Sequence, residues 1–226
     1  MRYRYLLVDN DNTLMDFDRA EALALAQTLR DLGLPADEAV CRLYHGINDA
    51  LWKALERGET TQQALKVERF RQLLTELGRR EIDAEAAADT FALRLGEHAE
   101  LLPGALEMLD ALRGRMKIAL VSNGVSAIQR SRLRRCPFAP WLDAVIISEE
   151  VGVRKPDPAM VEAALTALGC VDRAQAVLLG DSLTADIPAA VSAGIDSIYL
   201  DRHGRPSTLP TYTVRSLDEA AALLLG

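Results

Sequence analysis

Apolar and polar positions follow one another along the chain in blocks. Residues 5–8, 116–121, 144–147, 176–179 and 198–200 are short apolar runs. Each stops at a polar cluster: Asp9-Asn10-Asp11-Asn12, Ser122-Asn123-Gly124, Ser148-Glu149-Glu150, Gly180-Asp181-Ser182 and Asp201. Continuous apolar runs of this length, bounded by turn residues, predict strands buried on both faces. Helical spacing of apolar residues fills the gaps at 105–113, 126–135, 158–168 and 186–193. This alternation predicts an α/β fold with a doubly wound, Rossmann-like parallel sheet. Ligands of such sheets bind beyond the carboxyl ends of the strands, where the polar clusters of this chain fall.

The stretch 17–101 differs. It has no strand-like run and reads as several helices broken at Gly33-Leu34-Pro35, Gly58 and Gly78. Within it Val67, Phe70, Leu74 and Leu77 recur at steps of three and four, and this stripe is expected to be core. Thr60-Thr61 can cap that helix and Gly78 can end it. Leu102-Pro103-Gly104 marks the return to the sheet. The expected organisation is therefore a discontinuous sheet domain, 1–16 with 102–226, and an inserted all-helical domain over 17–101.

Composition narrows the function. Of 226 residues 49% are hydrophobic and 26% charged, enough for a sizeable core. The net charge of -7 repels polyanions, so a nucleic acid polymer is not expected as partner. The basic run Arg130, Arg132, Arg134 and Arg135 is read as a solvated helix face. Cys41, Cys136 and Cys170 form no C-x-x-C pair, which argues against a zinc knuckle or a disulfide framework and for reduced thiols in the cytoplasm. No apolar run reaches the length of a membrane span, and the opening apolar run is too short for a signal peptide. His45, His98 and His203 are scattered and suggest no metal or triad pattern.

Four clusters carry candidate chemistry. A strand ending in Asp9-Asn10-Asp11-Asn12-Thr13 projects alternate side chains to one side, so Asp9 and Asp11 can converge. Their repulsion is relieved by a divalent cation, by protonation or by water; the plain alternative is an acidic turn that caps backbone groups. Asp181 and Asp186 lie at a second strand end and offer oxygen ligands suited to magnesium, or else simple helix caps. Ser122, with the backbone N–H groups of Asn123 and Gly124 at a helix start, suits an anionic oxygen. Lys155 sits beside a rigid turn, Pro156-Asp157-Pro158. One such cluster is ordinary; four at strand ends that should meet are not.

In order, Asp9-x-Asp11-x-Thr13, Ser122, Lys155 and Asp181 to Asp186 resemble the four motifs of the haloacid dehalogenase-like hydrolases, over essentially the whole chain. The helical insert lies between the first and second motifs and resembles that family's helical cap. Three segments look like the branch of nucleoside 5′-monophosphatases for pyrimidine and non-standard nucleotides: Asn12 to Asp18, Tyr44 to Trp52, and Ser148 to Pro156. The resemblance implies that Asp9 attacks phosphorus to give an aspartyl-phosphate and that Asp11 carries the proton. It implies that Thr13, Ser122, Lys155, Asn123 and Gly124 surround the phosphate, and that Mg2+ is held by Asp9, Asp181 and the Asp11 carbonyl, with Asp186 as a further ligand or orienting group. Asp11 argues against halide chemistry, because the family's dehalogenases lack a carboxylate there. A base needs an aromatic or polar contact, for which Phe17, Asn48 and Trp52 are candidates, though Trp52 and Asn48 read equally well as internal helix residues. The expected substrate is a small phosphate ester. Sugar-phosphate or phosphoglycolate phosphatases, a phosphomutase and a non-enzymatic binding module stay open.

Overall fold

The computed structural model describes residues 2–226 and divides into two compact units, Met1–Phe17 with Ala99–Gly226, and Asp18–His98. In chain order the first elements are β1 (Tyr5–Val8) and the helices α1 (Phe17–Asp31), α2 (Glu38–Glu56), α3 (Gln62–Glu76) and α4 (Ala84–Glu97). Then follow α5 (Ala105–Leu112), β2 (Lys117–Ser122), α6 (Ser126–Leu133), β3 (Ala144–Ile147), α7 (Ser148–Val151) and α8 (Pro158–Leu168). The chain continues with β4 (Ala176–Gly180), α9 (Asp186–Ala193), β5 (Asp196–Leu200), β6 (Tyr212–Val214) and α10 (Leu217–Leu225).

In the first unit the six strands are parallel and lie in the order β3-β2-β1-β4-β5-β6. Strand side chains alternate between faces, so both faces of the apolar runs are used. Leu6, Val8, Ile118 and Leu120 join Met108, Leu109, Leu112, Phe138, Leu217 and Leu224 in one core. Leu7, Ala119, Val121 and Leu178 join Met160, Val161, Leu165, Leu168, Ala189 and Ala190 in the other. Burial of each large aliphatic side chain is worth about 1.5–3 kcal/mol, which makes the strand ends stiff supports for a site. The fold class is the expected one: a doubly wound parallel sheet between helical layers.

Three elements were not expected from sequence: α7, the edge strand β6, and α10. The last is capped by Ser216, whose Oγ accepts from Glu219 N–H (3.2 Å), while Glu219 Oε2 reaches back to Arg215 N–H, one residue before the cap (2.7 Å). Helix α8 starts on a cap from Asp157 with Pro158 in its first turn, and stops at Gly169 in the left-handed region.

The second unit comprises α1 to α4 apart from Phe17, with breaks around Gly33, Gly58 and Gly78 as expected. Thr61 caps α3, accepting from Ala64 N–H at 3.1 Å. The buried stripe of α3 is shifted, however. Leu65, Arg69, Phe70, Leu73 and Leu74 are buried, while Val67 and Leu77 are half-buried. The rings of Tyr44, Phe70 and Phe91 meet with centroids 5.4–5.7 Å apart. The Arg69 guanidinium lies 4.6 Å from the Phe91 ring centre, and the attraction of the ring face offsets part of the cost of burying it.

Candidate active site

Strand β1 is flanked by β2 and β4, because the chain leaves β1 toward one edge of the sheet and returns at β4 on the other side. Such a switch point opens a crevice beyond the carboxyl ends. Asp9 follows β1 directly, its N–H extending the ladder to Leu179 O (2.9 Å). Ser122 ends β2, and Asp181 follows β4. The turn after β1 is closed by Leu14 and Met15 N–H groups on Asn10 O (2.9 and 2.8 Å) and by Asn12 N–H on Met15 O (2.7 Å). Asn12 takes a left-handed φ of 60°, and its Oδ1 accepts from Phe17 N–H at 3.1 Å.

Lys155 is the hub of the site. It is 2% exposed, and its Nζ lies 2.6 Å from Asp9 Oδ1, 2.7 Å from Asp186 Oδ1 and 2.6 Å from Val121 O. Burial works against the ammonium, but Asp186 and Asp9 outweigh it and hold its pKa above the usual lysine value. The loop that carries Lys155 is fastened by Asn123, whose Nδ2 donates to Lys155 O while its Oδ1 accepts from Lys155 N–H, both at 2.8 Å. Ser122 is buried, and its Oγ accepts from Gly124 N–H at 3.0 Å. Thr13 is buried beside the acidic turn.

Asp9, Asp181 and Asp186 bring carboxylate oxygens within 4.8 Å of one another. Asp186 is pinned by Ser182 N–H on its Oδ2 (3.0 Å), and it reaches this position only because residue 180 is glycine, where a Cβ would overlap its carboxyl group. Burial, with Asp186 adding to it, pushes the Asp181 carboxyl up to about 7. Asp9 is also raised well above the ordinary carboxylate range, chiefly by burial and against the pull of Lys155. Three carboxylates facing one ammonium leave two negative charges in a confined space. A hard divalent cation on these oxygens balances that charge, so the donor set fits one.

Asp11 takes a different direction. Gln129 Nε2 donates to its Oδ2 at 2.5 Å and Arg132 Nη1 donates to its Oδ1. Phe17 is half-buried near this pair, its ring centre 5.9 Å from the Arg132 guanidinium carbon. The structure thus brings together Asp9, Asp11, Thr13, Ser122, Asn123, Gly124, Lys155, Asp181 and Asp186, with Phe17 alongside. Asn48 and Trp52 lie in the helical unit. Asn48 is buried there, its Nδ2 donating to Glu21 Oε1 (3.0 Å) and its Oδ1 accepting from Arg69 Nη1 (3.3 Å). Trp52 is half-buried on α2.

Residues 3–194 match the haloacid dehalogenase-like hydrolase family. The chain belongs to that family. Two curated relatives span nearly its whole length. Pyrimidine 5′-nucleotidase PynA of Streptococcus pneumoniae is 35% identical over 97% of this chain and 94% of its own. Pyrimidine 5′-nucleotidase YjjG of Escherichia coli is 32% identical over 99% of both. The crystal structure of the HAD-hydrolase YfnB from Bacillus subtilis, bound to magnesium, superposes with a TM-score of 0.93 at 32% identity over 99% of each chain.

Within this haloacid dehalogenase-like site, sequence reasoning missed Gln129 and Arg132. The expectation of a solvated arginine face holds for Arg134 and Arg135, which are exposed, and for Arg130, half-buried and paired with Glu150 at 2.7 Å. It fails for Arg132, which is 0% exposed. The usable signal was helical spacing: residues 129 and 132 are one turn apart and share the face of α6 opposite to 130 and 134. Among the described residues no helix is long and apolar enough to cross a membrane.

The crowded carboxylates make a prediction about stability. A carboxyl whose folded pKa stands above its unfolded value favours the folded state at low pH, and that contribution is lost as pH rises through the folded value. For Asp181 the window runs from its ordinary 3.8 to about 7. In a chelator, Tm should therefore fall by several degrees between about pH 6 and pH 8, and Mg2+ should restore more of it at the higher pH. Calorimetry in chelator showing a Tm independent of pH across this range would contradict the arrangement.

Proposed function

We propose that the protein is a magnesium-dependent phosphomonoester hydrolase that acts on nucleoside 5′-monophosphates through an aspartyl-phosphate on Asp9. The observation that carries the reading is the Asp9 carboxylate at the switch point, held by buried Lys155 beside Asp181 and Asp186. Full-length likeness to two pyrimidine 5′-nucleotidases supports the substrate class.

Phosphoryl transfer needs an in-line nucleophile, neutralised charge on the phosphoryl oxygens and a proton for the leaving group. An Asp9 oxygen forms a bond to phosphorus as the ester bond breaks, and Asp11 passes a proton to the departing alkoxide. Asp11 then takes a proton from the water that attacks the aspartyl-phosphate, which frees phosphate and Asp9. Ser122 donates to a phosphoryl oxygen, Lys155 adds its positive charge, Asn123 keeps Lys155 in place, and the backbone around Thr13 and Gly124 closes the cradle. Asp9, Asp181, Asp186 and the Asp11 carbonyl would hold magnesium, whose charge would let an anionic carboxylate meet an anionic phosphate. We assign choice of the ester to the helical unit acting as a cap, with Trp52 and Phe17 as the aromatic groups available to a base and Asn48 as a fastener of that unit. The expected cellular setting is the cytoplasm.

The test is inorganic phosphate release from pyrimidine and purine 5′-monophosphates, sugar phosphates and phosphoglycolate, with Mg2+ and with chelator. Pyrimidine 5′-monophosphates should lead the panel by about tenfold or more in kcat/KM, a difference of ~1.4 kcal/mol, and chelation should remove the activity. Equal rates across the panel would overturn the nucleotide assignment, and no phosphate release from any member would overturn the phosphatase.

A further inference from the structure

The side chains of α6 that face the acidic turn have no part in the reading above. Gln129 and Arg132 are 2% and 0% exposed, and each gives one N–H donor to a different oxygen of Asp11. Asn10 Nδ2 donates to Gln129 Oε1 at 2.5 Å, and this bond turns the amide so that Nε2 faces Asp11. The space that Gln129 occupies exists only because residue 124 is glycine, where a Cβ would overlap the Gln129 side chain. An arginine with no exposed surface is costly to bury, and a carboxylate that meets it in a hydrogen-bonded pair offsets that cost. The pieces come from β1's turn, the loop after β2 and one face of α6, so they form a built arrangement, not a chance pairing on a surface.

We propose that Gln129 and Arg132 are positioning residues that set the rotamer of Asp11 for proton transfer. An unrestrained aspartate rotates among its staggered states, and a misplacement of about 1 Å is enough to cost a reaction on the order of 100-fold. With both oxygens tethered from α6, the carboxylate is held in one rotamer, ready to take a proton from the attacking water. This inference rests on the reading of Asp11 as the proton carrier.

A double-mutant cycle tests it, with p-nitrophenyl phosphate as substrate and Mg2+ present. Its leaving group departs with little help, so impaired handling of the attacking water appears as a burst of p-nitrophenolate and accumulated phospho-enzyme. Gln129→Met, close in shape, should lower kcat about 10–100-fold with KM within about twofold, and should raise the phospho-enzyme level. Arg132→Met should behave alike, and Arg132→Lys should recover part of the loss. In the Asp11→Asn background, Gln129→Met should cause no further fall. A wild-type kcat for Gln129→Met, or an equal further loss in the Asp11→Asn background, would overturn the clamp even if Arg132→Met fails to fold. Unchanged hydrolysis by Asp11→Asn alone would instead overturn the reading of Asp11, and the clamp with it.

Discussion

Asp9→Asn should lower turnover of a nucleoside 5′-monophosphate by at least about 10⁴-fold, roughly 5.5 kcal/mol of transition-state stabilisation, while leaving the fold intact. The amide keeps the shape of the carboxylate and loses its nucleophilic charge. Stability should not follow activity downward. Asp9 is a buried carboxylate crowded by Asp186 and Asp181, so removing its charge removes repulsion along with the pairing to Lys155. Lys155 retains Asp186 at 2.7 Å and the Val121 carbonyl at 2.6 Å. In chelator at about pH 8 the Tm of Asp9→Asn should equal or exceed that of the parent protein. A variant that is inactive because it is unfolded, or one that keeps its phosphatase activity, would contradict the assignment.

Asp11→Asn should separate the two halves of the reaction. With a poor leaving group such as a nucleoside, loss of the proton carrier should slow turnover about 10²–10⁴-fold. With p-nitrophenyl phosphate the first transfer should survive, and the slowed step should become hydrolysis of the aspartyl-phosphate. Rapid-quench measurement of product against phospho-enzyme distinguishes these steps. An Asp11→Asn protein that hydrolyses both esters at parental rates would show that another group carries the proton.

The strands and the acidic centre were legible in the sequence for one physical reason. A parallel strand buried on both faces is an uninterrupted apolar run, so its end is visible, and Asp9, Ser122 and Asp181 stand at three such ends. Lys155 and Asp186 lie outside the runs, and their place in the site was suggested by the order of the motifs. Charged side chains on buried helix faces were not legible. Arg132 and Arg69 were overlooked because charge is ordinarily a mark of solvent, yet one is buried against Asp11 and the other against the Phe91 ring. The α3 stripe was read too narrowly, since Leu65 and Leu73 are buried beside Arg69 on the same face. Strand β6 has only three residues at a sheet edge, too short for an alternation to register. Helix α10 was readable from Ser216 and Glu219, spaced as at a helix start. The role given to Asn48 depended on a fold within the helical unit, where its amide is committed to Glu21 and Arg69.

The central claim is the covalent bond between Asp9 and phosphorus. Asp11→Asn enzyme mixed with p-nitrophenyl phosphate and Mg2+, quenched in acid and digested, should yield the peptide that contains Asp9 heavier by one phosphoryl group, with fragment ions placing it on that residue. The same peptide from Asp9→Asn should be unmodified. Phosphate release by the parent enzyme with no phosphorylated Asp9 in the quenched variant, or a phosphoryl group found on another residue, would contradict the account.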